Sequence, residues 1–219
     1  MSEYDETSNR LILKLVYYGP ALSGKTTNLI QLHEVIAPDR KGELMVLETK
    51  NDRTLFFDML PLGVVTNTGL AIKIKLFTVP GQVAHDSTRK AVLSRADGVA
   101  FIADSQQNQS INNAESFENL AANAARVGLD FDALPLVVQF NKRDLSPIVS
   151  EEDVIGRWGH TPWPVYFASA LQGEGVCETF RGLLARVYRQ VDTELGLASH
   201  HQLDQQQFID QLLGGVGRD

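Results

Sequence analysis

The sequence predicts an α/β domain of three layers: a mostly parallel central sheet with one antiparallel hairpin strand, and helices on both faces. Three observations carry this. Apolar, β-branched runs alternate with helical patterns along nearly the whole chain, and such alternation builds parallel sheets covered on both sides. Residues 11–18 are apolar on both faces apart from Lys14, as a strand buried between helix layers must be. That strand runs directly into Gly19-Pro20-Ala21-Leu22-Ser23-Gly24-Lys25-Thr26, which fits G-x-x-x-x-G-K-[ST] between a strand and a helix.

Each element follows in order. Residues 1–9 are polar and read as a loose tail. After the glycine-bounded loop, Leu29, Leu32 and Ile36 recur at helical spacing until Pro38 stops them. A short strand fits residues 43–48, whereas 51–61 show no clean period. Residues 63–68 and 71–79 read as a hairpin around Gly69. Its second strand alternates Ile72, Ile74 and Leu76 with Lys73, Lys75 and Phe77, the pattern of an outer strand with a half-polar face. A helix over 86–96 and a buried strand over 98–103 come next. Residues 113–127 form an amphipathic helix with Phe117, Leu120, Ala121 and Ala124 on one face. Then come a strand over 134–140, a helix over 151–158 and a strand over 165–168. In the helix over 176–195, Val176, Phe180, Leu183, Leu184, Val187 and Val191 make one stripe. Gly196 ends it. The domain therefore spans 10–195, and 196–219 is an extension. Leu203, Phe208, Ile209, Leu212 and Leu213 allow it one short amphipathic helix; the extension is either docked on the domain, disordered, or a partner-binding or regulatory helix.

Composition excludes several classes. A net charge of −7 on 219 residues disfavours general nucleic-acid binding. No apolar run approaches the roughly 18 residues of a membrane span. The acidic start lacks a signal-peptide core, and Ser2 and the final Val-Gly-Arg-Asp lack lipidation signals. The one cysteine, Cys177, reads as a small buried hydrophobe in a reducing compartment. A cytoplasmic location is the expectation.

Polar signatures sit at strand carboxyl ends, where ligands bind in such sheets. In the first loop, backbone N–H groups and a positive helix N-terminus gather around an anion. Lys25 reaches the β and γ phosphates, and the Thr26 hydroxyl binds Mg²⁺. Gly19, Ala21, Ser23, Gly24 and Thr27 complete that phosphate-binding set. Asn141-Lys142-Arg143-Asp144 follows the 134–140 strand. The Asp144 carboxylate can accept from the adjacent N1–H and N2–H₂ donors of guanine, a pair that adenine lacks. A site of that kind can discriminate by roughly 10⁴-fold, because the wrong base leaves a carboxylate unpaired. Asn141 holds the loop, and the Lys142 stem lies along the ring. Backbone amides of Ser169, Ala170 and Leu171 are placed to meet the guanine carbonyl. In Thr78-Val79-Pro80-Gly81-Gln82, the Gly81 N–H can contact a γ-phosphate and Gln82 can orient water. Thr54 can complete Mg²⁺ coordination from a mobile loop. Arg53 is either an arginine finger in cis or a surface ion pair.

Together these residues resemble the Ras-like small GTPases, and within them the bacterial MglA family of polarity and gliding-motility switches. The carrying residues are Tyr17 to Pro20, Gly24 to Leu29, Asp52-Arg53-Thr54-Leu55-Phe56-Phe57-Asp58, Thr78 to Gln82, Asp97-Gly98-Val99, Ala103-Asp104-Ser105 and Asn141 to Leu145. The resemblance covers residues 10–195 and implies a phosphate-loop GTPase fold, GTP/GDP and Mg²⁺. It implies slow hydrolysis, stimulated by a homodimeric roadblock-domain (MglB-like) partner that inserts no arginine of its own. Arg53 is then the cis finger and Gln82 the water-positioning residue. It implies motility or polarity effectors that read the GTP state, and recruitment to a cell pole. Thr78 stands where most Ras-like proteins carry aspartate, which implies weaker Mg²⁺ retention. A GTP-regulated binding module with negligible turnover is the competing reading. A phosphate-loop kinase would leave Asp144 without a role.

Overall fold

The computed structural model describes residues 3–36, 41–43, 45–48, 56–66, 68–80 and 86–214. Among them are eight strands and seven α-helices: β1 (Glu3–Asp5), β2 (Arg10–Tyr18), α1 (Lys25–Val35), β3 (Met45–Glu48), β4 (Phe56–Val65), β5 (Ala71–Thr78), α2 (Asp86–Leu93), β6 (Gly98–Asp104), α3 (Ser110–Arg126), β7 (Leu136–Asn141), α4 (Glu151–Trp158), β8 (Val165–Phe167), α5 (Val176–Leu195), α6 (Leu197–His201) and α7 (Gln205–Leu213). The sheet order is β3-β4-β5-β2-β6-β7-β8, with β1 added along β2. Strands β5, β2, β6, β7 and β8 run parallel, while β4 is antiparallel to both β3 and β5. One apolar core joins the sheet to α1, α5, α6 and α7; the other joins its opposite face to α2, α3 and α4. This is the three-layer phosphate-loop GTPase fold.

Four details differ from the sequence reading. The N-terminal tail is not wholly loose: Glu3–Asp5 pairs antiparallel with β2 at Arg10 to Ile12. The reason is a vacant edge, because β6 begins pairing with β2 only at Leu15. Second, of the stretch 51–61 that lacked a period, residues 56–61 belong to a ten-residue strand, β4, which contains Pro61, while 51–55 lie outside the described residues. The Pro61 carbonyl accepts from Gly42 N–H at 2.8 Å, on the outer side past the end of β3. A proline is tolerated at such an edge, where no N–H is needed for the ladder. Third, β5 is an interior strand between β4 and β2. On its half-polar face Lys75 pairs across to Lys14 of β2, whose ammonium donates to the Ser94 carbonyl at 2.9 Å, just after α2, and lies 5.3 Å from the Phe77 ring centre.

The fourth difference concerns the extension, which has two helices where one was read. After Gly196 turns the chain at φ 64°, α6 and then α7 fold back. A capping box of Asp204 and Gln207 starts α7. Phe208, Ile209, Leu212 and Leu213 are buried, and α7 packs on α5 and β4. Arg181 and Asp210 lie 3.5 Å apart across the α5–α7 contact, and the Tyr188 hydroxyl donates to the Leu203 carbonyl at 2.8 Å. No helix among the described residues is long and apolar enough to cross a membrane.

Candidate functional site

The phosphate loop leaves β2 at Tyr18 and enters α1 at Lys25. Its two glycines are needed for space. A β-carbon on Gly19 would lie 2.2 Å from the Ile102 carbonyl oxygen, and one on Gly24 would lie 2.1 Å from Asn141 Nδ2. Gly24 also caps α1 with φ 96°, a conformation that favours glycine. No side chain caps this helix, and its first turn carries no acidic residue. The first-turn N–H groups and the dipole are thus turned toward an anion without a competing carboxylate. Lys25 is buried across the loop, its Nζ donating to the Gly19 carbonyl at 3.1 Å and the Pro20 carbonyl at 2.6 Å. Ser23 is buried beneath the loop, and its hydroxyl has no hydrogen-bond partner among the described residues. Ala21 and Thr26 are exposed and Thr27 is half-buried, so the Thr26 hydroxyl is accessible for a metal ligand's role. An uncapped helix start, a cradle closed to any β-carbon and an accessible hydroxyl fit a nucleotide phosphate with its Mg²⁺.

The base-side residues converge on the same crevice. Asn141, only 2% exposed, is the link: its Nδ2 donates to the Ser23 carbonyl at 2.8 Å, and its Oδ1 accepts from Ala170 N–H at 2.9 Å. One side chain at the end of β7 therefore ties the phosphate loop to the loop after β8. Lys142 adopts φ 67°, and its ammonium pairs with Asp104 at 2.6 Å. Asp104, at the end of β6, also accepts from Gln106 N–H at 3.0 Å. Asp144, three residues after Asn141, is exposed. Of the three amides expected to face a base, two are engaged internally: Ser169 N–H donates to Glu174 and Ala170 N–H to Asn141. Leu171, the third of them, is 76% exposed.

Thr78 is buried at the end of β5, and Val79 N–H donates to the Tyr17 carbonyl at 3.2 Å. Arg53, Thr54, Gly81 and Gln82 lie outside the described residues. Next to that motif stands a residue that sequence reasoning missed. Arg89 of α2 is fully buried; its Nε donates to the Pro80 carbonyl at 2.8 Å and its Nη1 to Asn119 Oδ1 on α3 at 2.8 Å, with its guanidinium 5.3 Å from the Tyr18 ring centre. Around it, Asn123 Nδ2 donates to Asp86 Oδ1 at 2.7 Å and to the Tyr18 hydroxyl at 3.2 Å. The hydrogen bond from Asn123 holds the Asp86 carboxyl below its ordinary range. The only sequence signal for this cluster was a set of polar residues on helix faces that also carry core positions. Cys177 is buried on α5, and burial raises its thiol pKa, in keeping with a packing role.

No family model matches the chain. The chain is 43% identical over 191 residues to mutual gliding-motility protein MglA of Myxococcus xanthus (strain DK1622), an alignment covering 87% of this chain and 98% of that protein.

Proposed function

We infer that this chain, which belongs to the MglA family of Ras-like small GTPases, is a molecular switch that binds GTP and GDP and hydrolyses GTP slowly. The observation that carries the reading is the Asn141 bridge, which joins a phosphate loop and a guanine-type loop into one crevice. Lys25 and the α1 N-terminus hold the phosphates, and Asp144 accepts from the guanine edge. Thr26 and Thr54 hold Mg²⁺, which when bound neutralises phosphate charge. Gly81 N–H senses the γ-phosphate, Gln82 aligns a water for attack, and Arg53 places positive charge where it develops on the transferred group. Arg89 supports this by fixing Pro80 directly before Gly81.

The named relative is a gliding-motility protein, so the switch is proposed to act in cell motility or polarity. A homodimeric roadblock-domain (MglB-like) protein stimulates hydrolysis, and motility effectors bind the GTP state in the cytoplasm or at a cell pole. Phosphate release from purified, GTP-loaded protein tests the reading, with and without the roadblock partner. Turnover that rises with the partner supports it. Intact GTP binding with no release under either condition leaves a nucleotide-regulated binding module instead. Arg53→Ala and Gln82→Leu should keep GTP binding and block hydrolysis. Normal stimulated turnover in either variant removes that residue's catalytic role.

A further inference from the structure

The core beneath the phosphate loop is not wholly apolar. Side chains alternate along a strand, so Val137, Gln139 and Asn141 of β7 share one face, the face covered by α1 and α5. Gln139 is fully buried there, as are Asn28 on α1 and Thr179 on α5. The three satisfy one another. Asn28 Nδ2 donates to Gln139 Oε1 at 3.0 Å; Gln139 Nε2 donates back to Asn28 Oδ1 at 2.9 Å and onward to Thr179 Oγ1 at 2.8 Å. The ends of this chain are fastened to two helix starts. Asn28 Nδ2 donates to the Gly24 carbonyl at 2.9 Å, and the Thr179 hydroxyl to the Gly175 carbonyl at 2.7 Å. Gly24 and Gly175 are the caps of α1 and α5.

Apolar side chains would fill this space without the penalty of burying amides. What the amides add is direction. Apolar contacts tolerate a slide of α1 along β7, whereas hydrogen bonds weaken steeply as distance and angle change. The Asn141 bridge lies two residues further along the same strand and joins Ser23 to Ala170. Two polar rungs on one face of β7 therefore span from the phosphate-loop side to the base-loop side.

We propose that Gln139 is a positioning residue for the nucleotide: with Asn28 and Thr179 it holds the N-termini of α1 and α5 at one separation, so that one guanine nucleotide makes its phosphate and base contacts together. The proposal rests on the guanine-nucleotide reading above. Gln139→Leu alone leaves Asn28 and Thr179 with unpaired buried groups, and such a variant can fail to fold for that reason. The decisive variant is the triple Asn28→Leu/Gln139→Leu/Thr179→Val. It leaves no orphan, because the Gly24 and Gly175 carbonyls also accept from the backbone of residues 28 and 179 at 3.0 and 3.1 Å.

The experiment measures melting temperature, the dissociation rate of a fluorescent GDP, and competition by inorganic pyrophosphate, which engages the phosphate loop alone. The expected result is unaltered melting, GDP release faster by about tenfold, the worth of roughly one lost positioning hydrogen bond, and unchanged pyrophosphate affinity. In parallel, Thr179→Val should speed GDP release while Thr179→Ser, which keeps the hydroxyl, does not. Unchanged GDP release at unaltered stability overturns the proposal, and so does an equal loss of pyrophosphate affinity. GDP retention by the unaltered chain is read first; its failure removes the guanine reading, and the proposal with it.

Discussion

Replacing Asn141 by alanine unties the two halves of the crevice, and the structure sets the size of the effect. The side chain serves two buried backbone groups, the Ser23 carbonyl at 2.8 Å and the Ala170 N–H at 2.9 Å. Ser23 and Ala170 are both buried, so water does not replace the lost partner without rearrangement. An unsatisfied buried group costs about 1–3 kcal/mol, so the pair costs about 2–6 kcal/mol. At about 2–4 °C per kcal/mol for a chain of this size, melting should fall by about 4–24 °C, with the centre of that range the working expectation. Thermal unfolding without nucleotide is the assay, because a base contact contributes nothing there. Asn141→Asp is the companion: it keeps an acceptor for Ala170 N–H but sets a carboxylate against the Ser23 carbonyl, and should melt no higher than the alanine variant. An alanine variant that melts with the unaltered chain yet fails to bind GDP would refute the reasoning, since Asn141 would then act on the base alone.

Other perturbations test separate parts of the molecule. The Tyr17 hydroxyl is buried with no hydrogen-bond partner among the described residues, so Tyr17→Phe should raise stability by about 1 kcal/mol in denaturant unfolding; a clear loss would reveal a missing partner. Burial raises the Asp97 carboxyl above its ordinary 3.8, outweighing the 2.8 Å bond it accepts from Lys14 N–H. A raised carboxyl pKa stabilises the fold at low pH, and that contribution is lost as pH climbs from about 4 through the folded value. Asp97→Asn keeps an acceptor for Lys14 N–H and should flatten this fall in a series of melting temperatures between about pH 4 and pH 7; an unchanged slope would count against it. Arg89→Met removes the donor from the Pro80 carbonyl and should lower GTP hydrolysis more than GTP affinity, which single-turnover kinetics separate. Thr78→Asp adds a carboxylate at the end of β5 and should reduce the Mg²⁺ concentration needed to retain nucleotide; an identical Mg²⁺ dependence would remove the proposed weakness of the threonine.

Much of the function is legible in linear order because short-range chemistry carries it. The roles proposed for Gly19, Gly24, Lys25 and Thr26 need one turn of backbone and one helix start, and those proposed for Asn141 and Asp144 need one strand end. Their spacing, together with the strands and helix that flank them, points to a phosphate loop and a guanine-type loop. The alternation of apolar runs likewise determines the parallel layers, since each strand and helix must bury its own face. Arg53, Thr54 and Gln82 remain sequence inferences.

Tertiary structure decided what depends on partners distant in the chain. Whether Glu3–Asp5 pairs depends on where β6 starts beside β2. Whether β5 is an edge depends on β4, whose proline and irregular pattern hide a strand stabilised by its neighbours. Gln139 is a polar residue in a mostly apolar strand, and only folding brings it to Asn28, 111 residues away, and to Thr179. A buried amide is acceptable only where donors and acceptors meet within hydrogen-bond range. No local pattern records that meeting, because it is a property of the packed core.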